Sequence, residues 1–336
     1  MTAALIRTNA LYGWDSILAT KGLESANYLG ALNSARTRTP CGREAVHLRA
    51  FVEFLERVAE ATDASTAWGA GIGSDYATRG KVGQAILSSR TLGIALRRLT
   101  EYFPLIQDAT DLSMSTSDNW TTLSYRIVDP DIWPRHHDAM YSLGIYASLL
   151  RAAAPDAWCQ AELTVEAPRE QVVGDLSHVV KANCVYGGDT NALRFPTRAL
   201  DCRLELAPAS GQALTAELSQ RLVRKRRETP IVDRVRYIIF RDIGQGNISQ
   251  EHVSAELGMT SRTLRRRLVE ADTSYQAILD DCRMRAAAKE FRVHADVPIA
   301  EVALKLGYSE HSTFTRAFAR LAGMAPLDYR RAFQLN

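Results

Sequence analysis

A chain of 336 residues with 46% hydrophobic content is long enough for two cores and too apolar for a disordered polyelectrolyte. Its formal net charge of +3 conceals an asymmetry: residues 221–336 carry 21 Lys+Arg against 14 Asp+Glu, and residues 1–220 carry 20 against 24. Only the back of the chain is therefore expected to meet a polyanion.

In chain order, residues 44–61 (EAVHLRAFVEFLERVAEA) set Val46, Leu48, Phe51, Val52, Phe54, Leu55 and Val58 at helical spacing, which predicts one amphipathic helix. GAGIGSDYATRG (69–80) has no clear strand before it and no closing Lys-Ser/Thr, so it reads as a flexible or tightly packed loop and not as a phosphate loop. Thr91 is the expected N-cap of the helix LGIALRRLTEYF. LSMSTSDNWTTLSYRIV (112–128) alternates apolar and polar on both sides of Ser117-Asp118-Asn119, the pattern of a hairpin. A long helix is expected from about Pro134 to Ala153, then strands at 161–167 and 192–196 around a helix near 169–181. This mixture is α+β; an all-β jelly roll would need many short strands and almost no helix.

Pro208, Ser210 and Gly211 loosen the chain before a helix that ends in Arg224-Lys225-Arg226-Arg227. The expected division is a domain at 1–206, a linker helix and basic hinge at 207–228, and a second domain at 229–336. Thr229 as N-cap and Pro230 at the first helical position open an all-helical second domain, punctuated at Gly258, Pro298, Gly307, Gly323 and Pro326.

Within it one unit occurs twice, as LGMTSRTLRRRL (257–268) and LGYSEHSTFTRAF (306–318). Val253, Leu257 and Gly258 match Val302, Leu306 and Gly307 at one offset; Leu264, Arg266 and Leu268 match Phe314, Arg316 and Phe318 at an offset one larger. Two short helices around a glycine turn make a helix–turn–helix, here expected at 249–272 and 298–322, with Ser249, Ser261, Pro298 and Ser309 opening the helices. Ile299 and Leu321 are expected to be buried with the second. The intervening helix, 274–294, is about 30 Å long at 1.5 Å per residue. That length suits two recognition helices in successive major grooves about 34 Å apart. Candidate DNA contacts are Arg262, Thr263, Arg265 and Arg266 on the first recognition helix, and His311, Ser312, Thr315 and Arg316 on the second. Arginine pairs bidentately with guanine, while Arg320 and Arg330-Arg331 suit phosphates.

These residues bring a likeness into view. SRTLRRRL, PIAEVALKLGYSEHSTFTRAF and GMAPLDYRR (323–331) resemble the AraC/XylS family of bacterial transcription regulators across the C-terminal third. VGQAILSSRTLGIALRRLTEYF (82–103) and NALRFPTRALDCRL (191–204) resemble, more loosely, the so-called arabinose-binding N-terminal domain of the branch that includes ornithine and arginine catabolism regulators. The resemblance implies a seven-helix DNA-binding domain with two helix–turn–helix motifs. Asp272 stands where relatives usually have Gly, in a turn that Asp tolerates. It further implies a cytoplasmic activator of a catabolic operon, whose partners are promoter DNA, RNA polymerase, a second copy of the chain and a small metabolite such as an amino acid or amine.

Other constellations are weaker. Cys41, Cys159, Cys184, Cys202 and Cys282 form no CxxC pair, which points to a reducing compartment, with Cys184 and Cys202 read as core or strand residues. The N-terminus has no h-region, and no 18-residue apolar run suggests a membrane span. His136 and His137 read as surface histidines, and no metal or other cofactor is expected. Without GxSxG, HExxH or an acidic pair, the chain is not read as an enzyme. Trp68, Tyr102, Trp120, Tyr125, Trp133 and Tyr141 are candidate effector contacts, and an Asp or Glu beside them would suit a cation. The competing readings are a ligand-independent regulator whose front domain only oligomerises, and an enzyme with a nucleic-acid-binding tail.

Overall fold

The computed structural model describes residues 3–39, 42–63, 65–172, 176–204, 211–244, 246, 248–294 and 296–334. Cys41, Pro208 and Ser210 lie outside them. Contacts divide the chain into an N-terminal unit, Ala3–Ile127 with Pro134–Arg226, and a C-terminal unit, Arg227–Asn336 with Val128–Trp133.

The N-terminal unit is α+β. Its first half runs β1 (Leu5–Arg7), α1 (Trp14–Thr20), α2 (Ser25–Ser34), β2 (Arg36–Arg38), β3 (Glu44–His47), α3 (Leu48–Ala61), α4 (Ser65–Ile72), α5 (Gly80–Leu87) and α6 (Leu92–Tyr102). The second half runs β4 (Thr110–Ser117), β5 (Trp120–Ile127), α7 (His136–Ala153), α8 (Pro155–Trp158), β6 (Glu162–Val165), α9 (Leu176–Val180), β7 (Asn183–Tyr186), β8 (Asn191–Pro196) and α10 (Gly211–Glu228). One sheet has the order β1-β3-β2 and the other β4-β5-β8-β6-β7. Only the β6–β7 pair is parallel among these strands.

The hairpin forms as expected. Asp118 (φ 51°) and Asn119 (φ 66°) both take left-handed backbone, the geometry a two-residue hairpin loop requires. Thr91 caps α6, accepting from the Ile94 amide at 3.3 Å. Two expectations need correction. The helix predicted over 44–61 begins only at Leu48, because 44–47 pair as the middle strand of the small sheet and Val46 is buried there. The expected loop at 69–80 is largely helical: its start completes α4, and Tyr76–Arg79 form a 3-10 turn.

Its tight packing is real. A Cβ on Gly71 would stand 2.2 Å from the Tyr141 carbonyl oxygen, and one on Gly144 would stand 2.7 Å from that of Trp68. The two glycines let the α4 and α7 backbones touch. β7 carries Cys184, expected as a core or strand residue; the half-exposed NCVY pattern is too short to fix the strand's bounds. Leu218 and Leu222 of α10 are buried, and the helix falls in the N-terminal unit as far as Arg226.

Seven helices make up the described part of the C-terminal unit: α11 (Ile231–Asp242), α12 (Gln250–Glu256), α13 (Ser261–Val269), α14 (Tyr275–Val293), α15 (Ile299–Lys305), α16 (His311–Ala322) and α17 (Pro326–Gln334). Thr229-Pro230 opens α11 one residue later than expected, with Pro230 itself at the N-cap. The α12–α13 and α15–α16 pairs end their first helices alike. The Met259 amide donates to Ser254 O and the Tyr308 amide to Ala303 O, each at 3.0 Å, across glycines at φ 67° and 78°. This six-to-one closure is how a left-handed residue satisfies orphan helix carbonyls. Asp272 repeats it after α13: at φ 52° it lets the Thr273 amide reach Leu268 O at 3.0 Å.

Val253, Leu264 and Leu268 are buried in the first motif, and Val302, Leu306, Phe314 and Phe318 in the second. Ile299 is only half-buried and Leu321 is 42% exposed, contrary to expectation; on α16 it is Phe318 that packs against Phe291 and Phe314. In the same unit Arg285 of α14 pairs with Asp129 at 2.8 Å and Asp131 at 2.7 Å.

Candidate functional site

The polar face of the first recognition helix, α13, is made by its capping. Thr260, not Ser261, is the N-cap and accepts from the Thr263 amide at 3.2 Å. With Leu264 and Leu268 turned inward, Arg262, Arg265 and Arg266 are exposed on the opposite side. Thr263 is half-buried, its hydroxyl 3.0 Å from that of Thr260. Arg266 reaches Glu270 at 3.6 Å, but both side chains are well exposed, so the pair is weak and easily exchanged for another anion.

The second recognition helix, α16, starts at His311 after Glu310, not at Ser309, and has no side-chain cap. The connection from α15 is one residue longer than that from α12 to α13, as the offset between the repeats predicts. His311, Ser312 and Arg316 are exposed, and the Thr315 hydroxyl is turned back onto His311 O at 2.9 Å. Arg320 is bound to Asp280 of α14 at 3.0 Å, and Arg330 donates to Val297 O at 2.6 Å. Arg330 is thus a strut within the unit. Sequence reasoning missed Arg283: it donates to Leu306 O and Gly307 O and lies 4.4 Å over the Tyr308 ring, fastening the second turn to α14. An arginine at mid-helix carries no local signal of that role.

In the N-terminal unit most candidate effector aromatics have packing or hydrogen-bond partners within the protein. Trp68 stacks on Trp158, the Tyr102 hydroxyl meets Ser219 of α10 at 3.1 Å, and Trp120 packs under Arg194. Trp133 belongs to the C-terminal unit, where Lys289 lies over its ring. Tyr125 and Tyr141 are brought together around α7. Tyr125 donates to Asp138 Oδ2 at 2.5 Å, and Tyr141 donates to Ala10 O at 3.1 Å.

Tyr141, Tyr146, Arg79, Gln107 and Asp138 border a cavity of about 30 Å³, room for a water or two. Asp138 Oδ1 is buried there without a partner among the described residues. Burial pushes the Asp138 carboxyl up to about 7; the Tyr125 hydrogen bond opposes that shift and nearby Glu56 adds to it.

His136 and His137 are not surface histidines. Both are largely buried around Glu56 of α3, which meets His137 Nδ1 at 2.6 Å and His136 Nε2 at 3.7 Å. These three are the group of donors among the described residues close enough to hold a metal, although Glu56 already caps the His137 amide. Beside them Arg135 grips both carboxylate oxygens of Glu166, at 3.0 and 2.8 Å. No helix of the described residues is long and apolar enough to cross a membrane.

Comparison with known proteins agrees with this layout. Residues 35–204 match the model described as the arabinose-binding domain of AraC transcription regulator, N-terminal, and residues 253–332 match a helix-turn-helix domain. Over 277 residues the chain is 31% identical to an uncharacterized HTH-type transcriptional regulator of Mycobacterium tuberculosis, covering 78% of this chain and 79% of that one. It is 27% identical over 271 residues to the ornithine utilization regulator of Pseudomonas aeruginosa, covering 77% and 76%. With both models matched in the expected order, the chain belongs to the AraC family of helix-turn-helix transcription regulators.

Proposed function

We propose that one protomer reads an asymmetric DNA site with α13 and α16 in successive major grooves, under the control of a small effector bound in the N-terminal unit. The observation that carries the reading is the pair of exposed polar recognition faces joined by α14, whose 19 residues span about 28 Å. The first face carries three exposed arginines and supports the sharper base readout; the second is mixed and supports mainly positioning.

Footprinting of full-length protein on a selected site tests this. Two protected major-groove segments about 10 base pairs apart on one face of the duplex are expected. A single protected segment per protomer would sink it. Activation of a catabolic operon through RNA polymerase, and pairing of two copies, are supported by the family likeness. Transcription in vitro with purified polymerase, and sedimentation of the full chain, test them.

A further inference from the structure

We propose that the N-terminal unit binds a small anionic metabolite, one bearing a carboxylate or phosphate group, in a basic cleft beside the aromatic core. The cleft offers about 250 Å³, where the enclosed cavity offers about 30 Å³. Arg7, Arg43, Arg79, Lys81 and Arg221 line it, drawn from β1, the approach to β3, the turn before α5, α5 itself and α10. Glu44 is the acidic lining residue; Glu217 of α10 is shared by Lys81 and Arg221. A surplus of three positive charges converges on one concavity. Such a concavity repels itself when empty and concentrates small anions.

The donors point the same way. Gly80, Lys81 and Val82, the first turn of α5, border the cleft, and no side chain caps that helix. Guanidinium groups and an uncapped helix start together suit an oxyanion.

Arg79 links the cleft to the core. Its guanidinium donates to the Tyr141 hydroxyl and to Ser74 Oγ, each at 2.8 Å. An anion that draws Arg79 outward competes with those bonds at the wall of α7, which gives binding a structural consequence. The proposal rests on the N-terminal unit being an effector domain, and it replaces a cationic ligand over aromatic rings with an anionic one over arginines.

The test is calorimetry and thermal denaturation of the full chain with succinate, inorganic phosphate and, as a cationic control, putrescine, at fixed ionic strength in chloride. At least one anion should bind saturably and raise the melting temperature, and putrescine should not. Arg43→Gln and Lys81→Gln should each weaken the anion by about tenfold or more. Lys81 is exposed, so its substitution preserves the fold if Arg43→Gln does not. A response to succinate alone assigns a carboxylate ligand, and one to phosphate alone assigns a phosphate ligand. No response to either anion, equal responses in wild type and variants, or preference for putrescine would overturn the proposal. The DNA footprint is read on the same protein without these compounds, so failure of the regulator reading is seen separately.

Discussion

Glu56 and His137 are joined twice: the carboxylate accepts the His137 backbone amide at 3.0 Å and meets its ring Nδ1 at 2.6 Å. A side chain of α3 thereby caps the first turn of α7, for which Arg135 at the N-cap supplies no side-chain bond. Burial alone would raise the Glu56 pKa, but the His137 hydrogen bond and the two imidazoles together hold it below its ordinary value. Glu56→Gln should therefore cost about 1–3 kcal/mol of stability at neutral pH. A depressed carboxylate contributes its stability above the unfolded value of 4.5 and loses it as pH falls through the folded value, so the gap between wild type and variant should close in acid. Urea denaturation of both proteins at pH 7 and below pH 4.5 measures it; equal stability at pH 7 would remove Glu56 from the account.

Arg266→Ala should weaken binding to the selected DNA site by about 1–3 kcal/mol, with the loss confined to the bases under α13. Its only described ion pair, with Glu270, is exposed, so the fold should be unaffected. Titration against a panel of single-base variants separates the roles. Uniform loss over all sequences would make Arg266 a phosphate contact.

The C-terminal unit was legible because it is local. Helix period, glycine turns and a duplicated motif are all written within a few residues, and seven helices follow from them. What was missed there is tertiary: the Arg330 strut and the Arg283 clamp reach 33 and 23–24 residues along the chain. The N-terminal unit hides more. β3 pairs with β1 and β2 at long range, so a period that looks helpful to a helix is overruled at Val46. Arg7, Arg79 and Arg221 meet in one cleft from places more than seventy residues apart, a convergence no sequence window contains. The size and polarity of the candidate aromatics are visible in sequence, whereas the rings they pack against, Trp158 for Trp68 and Tyr146 for Tyr125, are not.

Asp272→Gly should stabilise the C-terminal unit by up to about 1 kcal/mol. Left-handed backbone at φ 52° strains a residue with a Cβ, while the closure made by the Thr273 amide needs only the backbone. Part of the gain is returned because glycine loosens the unfolded chain. The matching change in the other direction, Gly258→Ala at φ 67°, meets nothing within 4 Å and should destabilise by about 1 kcal/mol through backbone strain alone. Chemical denaturation of the two variants reads both signs, and a Gly258→Ala protein as stable as wild type would show that the turn relaxes.

Asp138 and its Asn variant should separate with pH in a defined direction. The carboxyl is buried, accepts from Tyr125 through Oδ2, and has Oδ1 unpaired among the described residues. Its folded pKa is raised from 3.8 to about 7, so the folded state holds a proton that the unfolded chain gives up. Below the unfolded value both states are protonated and the contribution is fully present. As pH climbs from about 4 to 7 it is lost, and above the folded value the loss is complete. Asp138→Asn cannot ionise, so any cost of its extra N–H donors is the same at every pH. Wild type should therefore lose stability relative to the variant between about pH 4 and 7, with the difference flat above about pH 8. Four of the five tryptophans lie in the N-terminal unit with Asp138, so tryptophan fluorescence reports mainly on that unit in urea titrations across that range. Parallel pH profiles for the two proteins would mean that the cavity wall leaves the Asp138 carboxyl with an ordinary affinity for its proton.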